Sequence, residues 1–247
     1  MKNVSIRDCE VEYIFPLSGH GMIGQQVSLR LEYLVLEDLP HMTYIWVASR
    51  ILVNLQHLTT LNVIGCEKLE VIFPKHVLRC LPELKIVKIR KCKELREIIE
   101  EDEEDKRLSN LLSSQPCFPK LQALYVGHCH KLKRFISGSA SNDFPNLYVL
   151  TIIGASKLEE LVGCGQEKCD EIGKIKVEFP SLNLLLFKHL SNFNQEIEFP
   201  NLKNSVVLEC PKLSLTPTTT FGELNRNFPY KGKYYINLYK LLHVNSL

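Results

Sequence analysis

Between Leu58 and Ile72 the apolar positions are Leu58, Leu61, Val63, Cys66, Leu69 and Ile72. Leu61-x-Val63 has the two-residue period of a strand, whereas the later residues step by three, so neither helix nor strand fits the whole stretch. The same template returns three times. It is seen in Leu84, Val87, Ile89, Cys92, Leu95 and Ile98, then in Leu121, Leu124, Val126, Cys129, Leu132 and Phe135, and again in Leu147, Leu150, Ile152, Ala155, Leu158 and Leu161. Looser copies flank these four. One is Leu31, Leu34, Leu36, Leu39, Met42 and Ile45. Another is Leu182, Leu185, Phe187, Leu190 and Phe193. The last is Leu202, Val207, Cys210 and Leu213, with Ser205 at an expected Leu. At the start, Val4, Ile6 and Cys9 fit the strand, and Val11, Tyr13 and Ile14 point to a one-residue shift.

L-x-x-L-x-L returning every ~20–29 residues is the leucine-rich-repeat signature. It predicts an α/β solenoid, a horseshoe with one parallel strand per unit on the concave side and a mostly irregular or short-helical convex side. About eight units fill residues 1–213, and 214–247 reads as a non-repeat tail. Two insertions lengthen the period, an acidic one over 100–116 and a second over 163–178. The run Glu100-Glu101-Asp102-Glu103-Glu104-Asp105 cannot be buried and reads as a solvated loop or a dock for a basic surface. Residues 18–26, rich in Gly, read as a loop, and His76–Leu81 as a short helical turn. Trp46, the only Trp, is placed between units. Four later units open on Phe118-Pro119, Phe144-Pro145, Phe179-Pro180 and Phe199-Pro200. The Pro biases its neighbour to an extended form, and the Phe is expected to fill the space behind the strand. No capping segment precedes the first unit, which reads as a cut through a longer array or a poor gene boundary.

Composition changes this picture little. Hydrophobic residues make up 45% and charged residues 23%, an ordinary soluble balance with ample material for a continuous core. A net charge of +2 gives weak long-range attraction to nucleic acid or an anionic membrane, so neither is expected as a partner. No apolar run reaches the ~18–20 residues of a membrane span, and the N-terminus lacks the apolar core of a secretory signal. Five of nine cysteines, Cys9, Cys66, Cys92, Cys129 and Cys210, share one repeat position and are expected to be small buried groups. Without paired spacings they read as reduced thiols of a cytosolic or nuclear protein.

Enzyme motifs are missing: there is no H-E-x-x-H, G-x-S-x-G or C-x-x-C, and no cofactor is expected. His128-Cys129-His130 is the nearest approach to a metal cluster, but Cys129 belongs to the repeat core. Cys164 and Cys169 are two thiols in a loop, too few for a tetrahedral zinc site. The stronger functional candidates are the strand residues between the last two apolar positions, namely Val35, Asn62, Lys88, Tyr125, Thr151, Leu186 and Val206, flanked by Arg90, His128 and Lys188. Strand alternation turns these toward the concave side, the surface solenoids use to bind partners. Asn62, Lys88, Arg90, Tyr125, His128, Thr151 and Lys188 therefore form the expected protein-binding set.

The fuller motif, F-P-x-L-x-x-L-x-V-x-x-C-x-K-L-x-x-F over Phe118–Phe135, places Leu three residues after the Cys. Cys66-x-x-Leu69, Cys92-x-x-Leu95 and Cys129-x-x-Leu132 repeat that spacing. This form resembles the leucine-rich repeats of plant intracellular coiled-coil, nucleotide-binding disease resistance proteins, over roughly residues 1–213. The resemblance implies innate immune recognition by a receptor fragment. Its implied partners are a pathogen effector, a monitored host protein, or the nucleotide-binding domain of a parent receptor. The phosphate loop G-x-x-x-x-G-K-[ST] of that family's nucleotide module is absent here, as are coiled-coil heptads. The rival readings are the substrate-recognition repeats of a ubiquitin ligase adaptor and a truncated product without independent activity.

Overall fold

The computed structural model describes residues 2–15, 27–46, 53–100, 116–137, 144–163, 177–195 and 197–213. The Gly-rich 18–26 loop, Glu101–Asp105 and most of both insertions, Cys164, Cys169 and the 214–247 tail lie outside the described residues.

The first unit holds β1 (Asn3–Arg7) and β2 (Tyr13–Phe15), and the second β3 (Val27–Ser28), β4 (Tyr33–Glu37) and β5 (Tyr44–Trp46). The third holds β6 (Val53–Asn54), β7 (Thr60–Ile64), β8 (Val71–Pro74) and a 3₁₀ turn over Lys75–Cys80, where the short helical turn was expected. Then follow β9 (Ile86–Arg90), β10 (Glu97–Glu100), β11 (Ala123–Gly127), β12 (Arg134–Ser137), β13 (Val149–Ile153) and β14 (Val162–Gly163). The last two units contain β15 (Val177–Glu178), β16 (Leu184–Lys188), β17 (Ile197–Glu198) and β18 (Asn204–Leu208).

One strand from each unit enters an eight-stranded parallel sheet in the order β1-β4-β7-β9-β11-β13-β16-β18. Strand order follows chain order because each unit buries its apolar face only against the next. The return side is more ordered than expected. β8, β10, β12 and β14 form a second parallel sheet, and β2–β5, β3–β6 and β15–β17 pair in twos. Pairing there satisfies backbone N–H and C=O groups that a purely irregular return would leave to water.

The core lies between these two sheets. Every template residue of the third to sixth units is at most 2% exposed. Toward the ends burial relaxes: Val4, Ile6, Val207, Cys210 and Leu213 are only partly buried, each with a neighbouring unit on one side among the described residues. Cys66, Cys92 and Cys129 are fully buried as expected, but Cys210 is half-buried and Cys9 exposed. An aromatic spine runs through seven units. Phe15 stacks on Trp46 at 4.9 Å, Trp46 on Phe73 at 6.2 Å, and Phe73 meets Phe118 edge-on at 5.2 Å. Phe118, Phe144, Phe179 and Phe199 continue it at 5.6, 5.9 and 5.9 Å. The spine thus passes from ring residues of the return strands to the Phe of the Phe-Pro openings, which do fill the space behind the sheet.

Each main strand ends the same way. The residue after it has positive φ: Asp8, Asp38, Gly65, Lys91, His128, Gly154, His189 and Glu209, all between 50° and 67°. This left-handed kink turns the chain off the sheet so that the following Cys, Leu or Ala points into the core. It also keeps the N–H on the ladder: Asp38 N–H donates to the Ile64 carbonyl at 2.9 Å and His128 N–H to Ile153 at 2.7 Å.

Candidate protein-recognition face

Alternation leaves one face of the main sheet outward, the face the sequence assigns to the concave side. Register places Val35, Asn62, Lys88, Tyr125, Thr151, Leu186 and Val206 side by side in one row across seven strands. The next outward row, toward the strand ends, holds Arg7, Glu37, Ile64, Arg90, Gly127, Ile153, Lys188 and Leu208. All seven site residues expected from the sequence therefore lie on this face or on its C-terminal rim, where His128 sits.

Their surroundings differ from a uniformly solvated surface. Asn62, Lys88, Arg90, His128 and Lys188 are half-buried, but Tyr125 is 3% and Thr151 1% exposed. Tyr125 packs in a cluster with Ala123, Ile86, Val149 and Leu184, all on this same face. Two members of the expected binding set, Tyr125 and Thr151, are thus packed by the sheet itself. The Lys88 ammonium lies 5.6 Å from the Tyr125 ring centroid, one strand away. Burial, and next the Arg90 charge, pull the Lys88 pKa below its usual value. Asn62 Oδ1 and Thr151 Oγ1 are buried and hydrogen-bond to no partner among the described residues. An unpaired buried oxygen costs ~1–3 kcal/mol, so these two sites lower the stability of the sheet.

The rim is cationic at its centre. Arg90, Lys91, His128, His130, Lys188 and His189 cluster at the ends of β9, β11 and β16. Gly127 and Gly154 make room for them. Arg90 Cγ lies 3.5 Å from where a Gly127 Cβ would stand, and His128 Nδ1 lies 3.0 Å from that of Gly154. The His128 and His130 rings are 6.3 Å apart. Burial holds the His128 pKa below 6.5, and the charges of His130, Lys91, His189 and Arg90 act the same way. Among the described residues, His189 is the member with an acidic neighbour, Glu209 at 2.5 Å. Lys91 and His189 were not singled out from sequence, although a polar residue or Gly just before each core Cys position was a legible signal.

On the return side, cations and acids of successive units instead meet in pairs. Examples are Lys93–Glu67 at 2.5 Å, Lys131–Glu94 at 2.6 Å and Arg96–Glu70 at 3.5 Å, with Lys120 bonded to Glu83. Exposed pairs of this kind contribute little individually.

Fold and face together define a leucine-rich-repeat module, an interaction fold whose parallel sheet offers an extended surface to a protein partner. Residues 1–93 match the family model described as plant disease resistance protein RPS2-like, leucine-rich repeats. The resemblance read from the Cys-x-x-Leu spacing is therefore supported over those residues, which are similar to the leucine-rich repeats of plant disease resistance proteins. No curated protein and no solved structure matches the chain.

Proposed function

We propose that the chain is the protein-recognition part of a plant innate immune receptor, without catalytic activity of its own and acting in the cytosol or nucleus. It senses a pathogen effector or a monitored host protein, or restrains the nucleotide-binding domain of its receptor. The observation that carries this reading is the family match over residues 1–93, joined to an outward sheet face with a continuous row of non-core side chains.

Cross-linking of the tagged chain in leaf extract, followed by mass spectrometry, tests it. Cross-links from Lys88 and Lys188 to one defined protein are expected. Cross-links confined to Lys68 and Lys131, on the opposite side of the unit, would refute the assignment of the face.

A further inference from the structure

We infer that the C-terminal rim of the main sheet, from the fourth to the seventh unit, is a docking site for an acidic peptide segment of the partner protein. The inference rests on the protein-recognition reading and adds the partner's chemistry. Arg90, Lys91 and Lys188 form no ion pair among the described residues, in contrast to the matched pairs of the return side. The two glycines let Arg90 and His128 lean across the next strand, toward Lys188 and His189, so the cations converge. Acids stand at the other end of the same rows. Glu37 is paired with Arg7 at 3.0 Å, and Asp8 and Asp38 precede Gly65 in the kinked row. The rim is therefore bipolar, and a partner's carboxylates are drawn to its centre and not to its first units.

Spacing adds a second constraint. Arg90 and Lys188 are three strands apart, about 14 Å at ~4.8 Å per strand. An extended peptide advances ~3.4 Å per residue and turns every second side chain to one face, so its residues i and i+4 span the same distance. A segment with acids at alternate positions, crossing the strand ends, meets Arg90 and Lys91, then His128, then Lys188. Glu209, held by His189, marks where this favourable field ends.

The probe is a fluorescein-labelled (Glu-Ala)₄ peptide, with (Lys-Ala)₄ and a DNA duplex of similar charge as comparisons, measured by anisotropy on the whole chain. The acidic peptide should bind, and more weakly as salt rises. Arg90→Glu/Lys188→Glu should weaken it by about tenfold or more. Lys85→Glu/Lys203→Glu makes the same change in net charge at the opposite ends of β9 and β18, and should cost less than about twofold. Circular dichroism checks that both variants fold; if the reversal does not, Arg90→Gln/Lys188→Gln replaces it. No binding of the acidic peptide, equal loss in both variants, or tighter binding of DNA would overturn the inference. If the cross-linked leaf partner is retained by the reversal variant, the acidic site is refuted while the recognition face stands.

Discussion

Lys88 and Tyr125 sit opposite each other in the register of β9 and β11, with the ammonium 5.6 Å from the ring centroid. Two residues first read as free contact groups are thus partners of each other. A cation over a tyrosine face contributes ~0.5–2 kcal/mol, depending on how far it is desolvated. Lys88→Ala should therefore cost about 1 kcal/mol, while Tyr125→Ala, which empties a nearly buried site, should cost about 3 kcal/mol. Hydrogen exchange in β9, β11 and β13 reads both. Equal and negligible effects would mean that the ring is not packed as described.

The left-handed row predicts an asymmetry between its glycines and its other members. A Cβ on Gly65 would collide with the Asp38 carboxylate, at φ +66°. Gly65→Ala should lower thermal stability, since it incurs an intrinsic αL penalty of roughly 1–2 kcal/mol and forces the exposed Asp38 carboxylate to turn aside. Lys91→Gly, at φ 57°, relieves that penalty and should be neutral or stabilising. Melting curves of the two variants should move in opposite directions or by very different amounts.

The aromatic spine contains one polar anchor. Trp46 Nε1 donates to the Ile72 carbonyl at 2.6 Å, in a buried setting. Trp46→Phe keeps a ring between Phe15 and Phe73 but orphans that carbonyl, an expected cost of ~1–3 kcal/mol. Phe73→Ala, at a site with no exposure, should cost ~3–5 kcal/mol. Denaturant unfolding of the two variants gives the ranking; Trp46→Phe exceeding Phe73→Ala would contradict it.

Thiol labelling should follow burial. Burial pushes the Cys66 thiol up to about 11. The Cys92 thiol is raised by the neighbouring Cys129 sulfur, then by burial. The neighbouring Cys92 favours the Cys129 thiolate while burial opposes it, and with both sulfurs unexposed access decides the rate. Native-state alkylation should spare Cys66, Cys92 and Cys129 and modify Cys9 first, with Cys210 between them. Equal rates at all five would show that the kinked turns do not deliver these residues to the core.

His128 should titrate below its ordinary 6.5, because burial and then the surrounding cations disfavour its charged form. For a depressed histidine the unfolded chain binds more protons. Its contribution to stability is present above 6.5 and is lost as pH falls from there toward the folded pKa. Nuclear magnetic resonance should give a His128 midpoint below 6.5, rising when Arg90 is replaced by Gln. Acidic-peptide affinity should increase over the same fall in pH, since His128 then joins the cationic rim. A midpoint at or above 6.5 would contradict the crowding of charge seen there.

Much of this protein is decided by local sequence. The Leu-x-x-Leu-x-Val steps fix a five-residue strand with two residues inward, and because units repeat, each strand pairs with those of the units directly before and after it. That is why the row from Val35 to Val206 was legible before any coordinates, as were the buried cysteines of the central units and the place of Trp46. The Cys-x-x-Leu spacing likewise carried the resemblance to plant resistance repeats. What one unit contributes to another was not legible, because contacts between units depend on three-dimensional offset and not on period. Tyr125 and Thr151 look like any outward residues in sequence, and only packing from adjacent strands buries them. Cys9 and Cys210 share the template of Cys92, yet among the described residues each has a neighbouring unit on one side only. The cationic rim is also tertiary in origin. Arg90 and Lys188 are nearly a hundred residues apart, and parallel register together with two side-chain-free positions, Gly127 and Gly154, brings their charges onto one edge.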